Sequence, residues 1–358
     1  TGKAWFDDLS FVRTDILPID SSVIQLGDYS TAQAASEPEP EAEKAKAGTV
    51  SLLPGIIGFA AVLFLIWALR PYHKGAIFIV LALALVVRLY LMATQPGYGV
   101  DISCFYSWSN RMVDVGPNAF YAPDYFCDYP PGYMYLLWFT GALMRLFGVS
   151  GIDAASLVII KFVPMVFDMG AIWLLWKLAR KQLGETTAVA LAALYAFSPA
   201  ILVDGAIWGQ VDAVIAFGLL LTVSLVMNKK WMAALPVYIV TVLMKPQALM
   251  AGPLGLVALI LDIFPWKENG KKTLKDAAIG LGIGIGIAAA MLLPFVWGKE
   301  SPIGWIIEHY TESMTGYPNA TINAANLYYM LGANWAPLTD ALGPFTYQQW
   351  GTALMVII

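Results

Sequence analysis

Two kinds of residue in this sequence could do chemistry at a water–lipid boundary: isolated carboxylates beside aromatic rings, and isolated cations at the ends of apolar runs. Asp101 is the clearest of the first kind. It follows the apolar span Ala76 to Ala93 and opens a stretch of about thirty-five residues rich in Tyr, Trp, Pro and Asp, beginning Gly97-Tyr98-Gly99-Val100-Asp101. A carboxylate held just outside the hydrocarbon under aromatic side chains suits general acid–base work on a lipid-borne substrate. The competing reading is an Asp that only caps a helix on a solvated loop.

Five more polar groups or motifs punctuate apolar surroundings. Asp128 precedes Tyr129-Pro130-Pro131-Gly132-Tyr133, where two prolines stiffen a helix entry; it caps a turn or binds hydroxyls. In Trp208-Gly209-Gln210-Val211-Asp212, Trp208 is a membrane-interface anchor or a site residue, Asp212 a helix cap, and Gln210 a cavity contact. Lys245, succeeded by Pro246-Gln247, either snorkels to the membrane edge or holds an anion. His309, next to Glu308 and Tyr310, is either a surface residue or a ligand contact, and Asn323 and Asn326 lie in the same tail loop. Arg88 falls inside an apolar run and needs a partner at that depth, either a phosphate or an acid such as Asp101.

The elements that must position these groups are membrane helices. Of 358 residues 59% are hydrophobic and 13% charged, which a soluble domain of this size does not show. Apolar runs fall at about 51–69, 75–94, 154–176, 187–203, 212–227, 231–244, 247–264 and 276–297, with another starting near 347. Each is long enough, or nearly so, to cross a bilayer. Gly132–Phe147 is shorter and carries Arg145, so it is expected to lie in the interface. The fold class expected is an all-α polytopic membrane protein with a short β remnant at its N-terminus.

Counting crossings from an outer linker places every basic cluster on one face. These are Arg70, His73 and Lys74; Lys177, Arg180 and Lys181; Lys229 and Lys230; and Lys267, Lys271, Lys272 and Lys275. The positive-inside rule makes that face cytoplasmic. The polar motifs collect on the other face. The small net charge of −4 names no partner, and no basic patch with interleaved aromatics suggests nucleic acid. Gly282-Ile283-Gly284-Ile285-Gly286 lies inside a span and reads as close helix packing. Asn319-Ala320-Thr321 matches a glycosylation sequon, a pattern common by chance. The two cysteines, Cys104 and Cys127, share the first outer loop and are either free or joined in a disulfide contributing about 3 kcal/mol. No metal-ligand spacing is present, so no divalent metal is expected.

Ahead of the spans, residues 1–30 hold an alternating stretch, Gly2-Lys3-Ala4-Trp5-Phe6-Asp7-Asp8-Leu9-Ser10, similar to the last strand of a carbohydrate-binding β-sandwich module. A charged Ala/Pro-rich linker follows over 31–50, then an additional span within 51–73. The chain has no initiator Met and stops inside an apolar run, so it is expected to be a piece of a longer protein.

In this order, Arg88-Leu-Tyr, Asp101, Tyr129-Pro-Pro-Gly-Tyr-Met-Tyr-Leu-Leu, Trp208-Gly-Gln-Val-Asp212, Lys245-Pro-Gln-Ala-Leu and Asn323-Ala-Ala-Asn326-Leu resemble the C-type (GT-C fold) membrane glycosyltransferases. The likeness is greatest to bacterial relatives of the second GPI-anchor mannosyltransferase and runs from about Lys74 to the end. It implies a GT-C-like helix bundle over 74–358, with interfacial helices in the first outer loop. It further implies a multi-pass enzyme of the bacterial cell membrane that moves a mannose or similar hexose from a polyprenyl-phosphate sugar to an extracytoplasmic glycan or protein, with inversion and with Asp101 as the base. Donor and acceptor contacts would then come from Arg88, Asp128, Tyr129, Trp208, Gln210, Asp212, Lys245, Gln247, His309, Asn323 and Asn326. The alternative is a transporter or flippase of lipid-linked sugars, which should carry inverted repeats and polar groups at the midplane; neither is evident in the sequence. A sugar-sensing membrane anchor without catalysis is a third possibility.

Overall fold

A computed structural model describes Phe64 and residues 75–357, apart from 124, 265–269, 323 and 325. The expected β remnant, the linker, nearly all of the 51–73 span, and Asn323 therefore lie outside the described residues.

Helix α1 (Ala76–Thr94) is apolar except for Arg88. Ala76, Ile77, Val80, Ala84, Arg88 and Met92 are buried, the three-to-four-residue spacing of one helical face. Phe78, Val86 and Tyr90 face outward. The helix stops at Gln95, whose extended backbone is what a residue before Pro96 favours. Gly97 then turns the chain with φ +76°.

The composition of the next stretch reads as a long loop, whereas the family resemblance implies interfacial helices in it. Gly99–Phe120 forms a helix, α2, broken only at Gly116, whose φ is 69°, just before Pro117. Its inner face, Ile102, Phe105, Trp108, Ser109 and Met112, repeats at helical spacing. It packs on α3 (Pro131–Leu146), which starts with a proline at its first position, as expected for Gly132–Phe147. The two helices come close at Gly141, where a Cβ would sit 2.1 Å from Ser109 O. Arg145 pairs with Asp114 across them.

Helix α4 (Ala154–Leu183) opens with a capping box between Asp153 and Ser156. Gly184, with φ 82°, separates it from α5 (Glu185–Ala196). The run read as one span over 187–203 is bent by 45° after Ala196. It continues through α6 (Pro199–Ile201) into a π-helical turn, Leu202–Trp208, which Gly209 ends in the left-handed conformation. Proline at 199 is the local cause, because it cannot continue the ladder of α5.

Helices α7 (Asp212–Met227) and α8 (Trp231–Met244) follow, then a 3₁₀ turn (Pro246–Ala251) leading into α9 (Gly252–Ile263). α10 (Gly270–Val296) lies along α8. Gly280 and Gly284, one turn apart, let the backbones meet: a Cβ at 280 would be 2.7 Å from Trp231 O, and one at 284 would be 2.4 Å from Ile239 Cδ1. Gly282 and Gly286 face open space, so only the middle glycine of the Gly-Ile-Gly-Ile-Gly run belongs to this packing. The tail holds α11 (Pro302–Thr315), the short α12 (Leu327–Met330), the hairpin β1 (Ala341–Leu342) and β2 (Phe345–Thr346), and α13 (Tyr347–Ile357).

This is an all-α polytopic membrane fold. Four described helical stretches are long and apolar enough to cross a bilayer, five if the bent pair counts as one span. α7 and α8 are shorter apolar helices. One buried cluster joins α2, α3, α4 and α7 beneath the polar end of the bundle. A second joins α1, α4 and α5.

Candidate active site

Asp101 stands in the first turn of α2, where the helix dipole favours a negative charge. Its Oδ2 accepts from Trp208 Nε1 at 2.7 Å and also from Gln210 Nε2. Trp208 packs against Tyr98, with ring centroids 5.5 Å apart. Gln210 Oε1 in turn accepts from Tyr129 OH at 3.0 Å. Lys245 Nζ pairs with Asp212 Oδ1 at 2.7 Å and lies 5.7 Å from the Tyr129 ring centroid. Five expected site residues thus form a linked set from three distant parts of the chain, with Lys245 adding a fourth. Asp128 is beside them, accepting from Tyr317 OH at 2.6 Å.

Burial raises the Asp101 pKa above that of an ordinary aspartate. The hydrogen bond from Trp208 opposes this, the charge of Asp128 adds to it, and Gln210 and Lys245 act with Trp208. A carboxylate raised in this way is, when ionised, a better proton acceptor than a solvated one.

The turn carrying Trp208 and Gln210 is held from below by groups the sequence reading missed. Gly97 and Gly209 both have positive φ; a Cβ on the first would lie 2.7 Å from Ile207 O, and on the second 3.0 Å from Lys161 Cγ. Lys161 Nζ donates to Gln95 O at 2.6 Å, fixing the end of α1 where the chain turns toward Asp101. Gly205 rests on Asp168, whose Oδ2 would be 2.9 Å from a Cβ there. Asp168 is the acid that Arg88 needs: Arg88 Nε donates to its Oδ2 at 3.2 Å, Arg88 Nη1 donates to Ala196 O at 2.9 Å, and Tyr195 OH donates to Asp168 Oδ1 at 3.3 Å. Lys161 and Asp168 were legible as the two ionisable residues inside the 154–176 run, since charges at that depth carry partners.

Some expectations need correcting. Of the partners expected for Arg88, an acid is present, but it is Asp168 and not Asp101; 0% exposed, Arg88 supports the site from within the bundle. Asn326 caps α12, its side chain accepting from Tyr329 N and donating to Thr321 Oγ1 at 3.0 Å, a local duty that explains its position. Cys104 and Cys127 are free thiols, and Cys127 Sγ donates to Tyr129 O at 3.6 Å rather than bonding to its neighbour. His309 is neither a bare surface residue nor in contact with Asp101. Its ring stacks on Trp305 at 4.9 Å and meets Tyr121 edge-on at 4.4 Å, and burial lowers its pKa. Gln247 is exposed in the 3₁₀ turn after Lys245. Among the described residues no three His, Cys, Asp or Glu side chains gather as a metal site.

Fold and site together define a class: a polytopic helical membrane protein with a carboxylate-centred polar cluster where α1 meets α2 and the bent span ends. Residues 128–297, slightly less than half of the chain, match the model of the dolichyl-phosphate-mannose-protein mannosyltransferase family. That stretch contains Tyr129, Trp208, Gln210, Asp212 and Lys245, and it excludes Asp101 and His309. The match is to a mannosyltransferase family of the GT-C type, not to the GPI-anchor branch of the resemblance. No curated protein and no solved structure matches the chain.

Proposed function

We propose that this chain is a membrane glycosyltransferase that moves a sugar, mannose by the family likeness, from a polyprenyl-phosphate carrier to a hydroxyl of a glycan or protein acceptor outside the cytoplasm. The observation that carries this reading is the convergence on Asp101 of Trp208 and Gln210, two residues within the family match, from a residue outside it.

In the reaction, Asp101 takes the proton of the acceptor hydroxyl as its oxygen attacks the anomeric carbon. The bond from that carbon to the phosphate oxygen breaks, and polyprenyl phosphate leaves with the electron pair. A single displacement inverts the anomeric centre. Lys245, paired with Asp212 beside the cluster, is the cation to offset charge on the leaving phosphate, exchanging part of that pairing. The basic loops face the cytoplasm, so the cluster opens to the opposite side. Residues 1–30, whose sequence is similar to a carbohydrate-binding module, suit a glycan acceptor.

The test is transfer from a panel of polyprenyl-phosphate sugars by the protein in liposomes. Asp101→Asn is expected to abolish it with the fold intact. Retained transfer by that variant would remove Asp101 as the base, and no transfer from any donor by the parent chain would remove the activity itself.

A further inference from the structure

Asp101 carries both of its hydrogen bonds on one oxygen. Trp208 Nε1 and Gln210 Nε2 donate to Oδ2, and among the described residues no side chain donates to Oδ1. Which end of the Gln210 amide faces the carboxylate is therefore decisive. With Nε2 inward it donates to the anion. With Oε1 inward, two acceptors would confront each other. The acceptor-only carboxylate draws the amine end inward, and Tyr129, whose hydroxyl donates to Oε1 at 3.0 Å, holds the other end of the same amide in place.

Tyr129 is built to hold that position. Its ring meets Phe105 edge-on at 5.8 Å, Trp108 at 5.6 Å and Tyr133 at 5.3 Å. Its backbone carbonyl accepts from Tyr121 OH at 2.9 Å and from Cys127 Sγ at 3.6 Å. A hydroxyl fixed at both ring and backbone orders its partner at little entropic cost.

We infer that Tyr129 is a positioning residue that acts through Gln210, fixing its amide in place so that Asp101 is held at Oδ2 and presents Oδ1 to the proton it removes. This rests on the transferase reading above for its chemistry, but the geometry stands without it. With its hydroxyl proton committed to Gln210, Tyr129 has only oxygen lone pairs left to offer a sugar.

The test uses the full chain in lipid nanodiscs with Tyr129→Phe, Gln210→Leu and the double variant. Tyr129→Phe keeps the ring and removes only the hydroxyl. Transfer from polyprenyl-phosphate mannose is expected to lose roughly tenfold in kcat in Tyr129→Phe, with KM little changed. The acid limb of kcat/KM should move up by about one pH unit, as the anion loses a well-aimed donor. In the Gln210→Leu background the same change should do nothing further. Multiplying effects, or a change confined to KM, would overturn the proposal in favour of direct substrate contact.

A second measurement needs no turnover: the Asp101 carboxyl titration, read by infrared difference between each protein and its Asp101→Asn counterpart. Its midpoint should rise in Tyr129→Phe and in Gln210→Leu, and no further in the double variant. An unmoved midpoint in either single variant overturns the positioning role even where transfer is normal. A coupled midpoint shift in a chain that transfers no sugar leaves the positioning role standing and defeats the transferase reading alone.

Discussion

Replacing Asp168 by Asn removes the one acid that neutralises Arg88 inside the bundle. Both side chains are buried, 2% and 0% exposed, so the surviving guanidinium cannot turn to water. Among the described residues Arg88 Nη2 has no partner, and only Ala84 O and Ala196 O would remain as acceptors for Nη1. Breaking a buried pair by removing one partner costs about 3–5 kcal/mol, most of it the penalty of the unpaired charge. Replacing both residues, Arg88→Met with Asp168→Leu, removes the pair without stranding a charge and should recover most of that loss. The coupling between the two changes is then at least about 2 kcal/mol, beyond what independent sites give. The assay is reversible unfolding of the purified protein in mixed micelles, with the four members of the cycle measured side by side. Transfer activity supplies a second readout, because Gly205 rests on Asp168 and leads to Trp208. An Asp168→Asn protein within about 1 kcal/mol of the parent, or additive single changes, would refute the reasoning.

The pH profile of Asp101 has a definite sign. Burial holds its folded pKa above the ordinary 3.8, so a reaction needing the ionised carboxylate gains activity as pH rises through a midpoint above that value. A kcat/KM profile whose acid limb falls at or below it contradicts the site described. At the α8–α10 contact, Gly284→Leu forces a side chain against Ile239 and Pro236 and should cost about 1–3 kcal/mol in the same unfolding assay. Gly282→Leu meets open space and should change stability by less than about 0.5 kcal/mol. Equal effects at the two glycines would mean that the packing face is wrongly placed.

The spans were legible because apolar runs there end at residues that end helices. The runs over 212–227 and 231–244 coincide with α7 and α8, bounded by Asp212, by Asn228-Lys229-Lys230 and by Lys245-Pro246. α2 was not legible, because Gly99, Ser103, Ser107, Ser109 and Asn110 favour turns and mask a buried stripe at Ile102, Phe105, Ser109 and Met112. Tertiary packing on α3 overrides those local preferences. The gathering of Asp101, Tyr129, Trp208 and Gln210 followed from counting crossings, which puts their loops on one face. The partner of Arg88 did not, because a loop-based argument looks to the end of the helix, while Asp168 lies within α4. The cap formed by Asn326 was not legible either, because capping and ligand contact use the same side-chain groups.

The ion pair between Arg88 and Asp168 also bears on how the chain is made. Its two halves are 80 residues apart, on helices that emerge from the ribosome separately. α1 is therefore made before Asp168, its counterion in the folded bundle, exists. The burial of the Arg88 charge is completed only when α4 docks against α1, because a lone cation at that depth is costly. A polypeptide interrupted before Ala154 would lack that counterion.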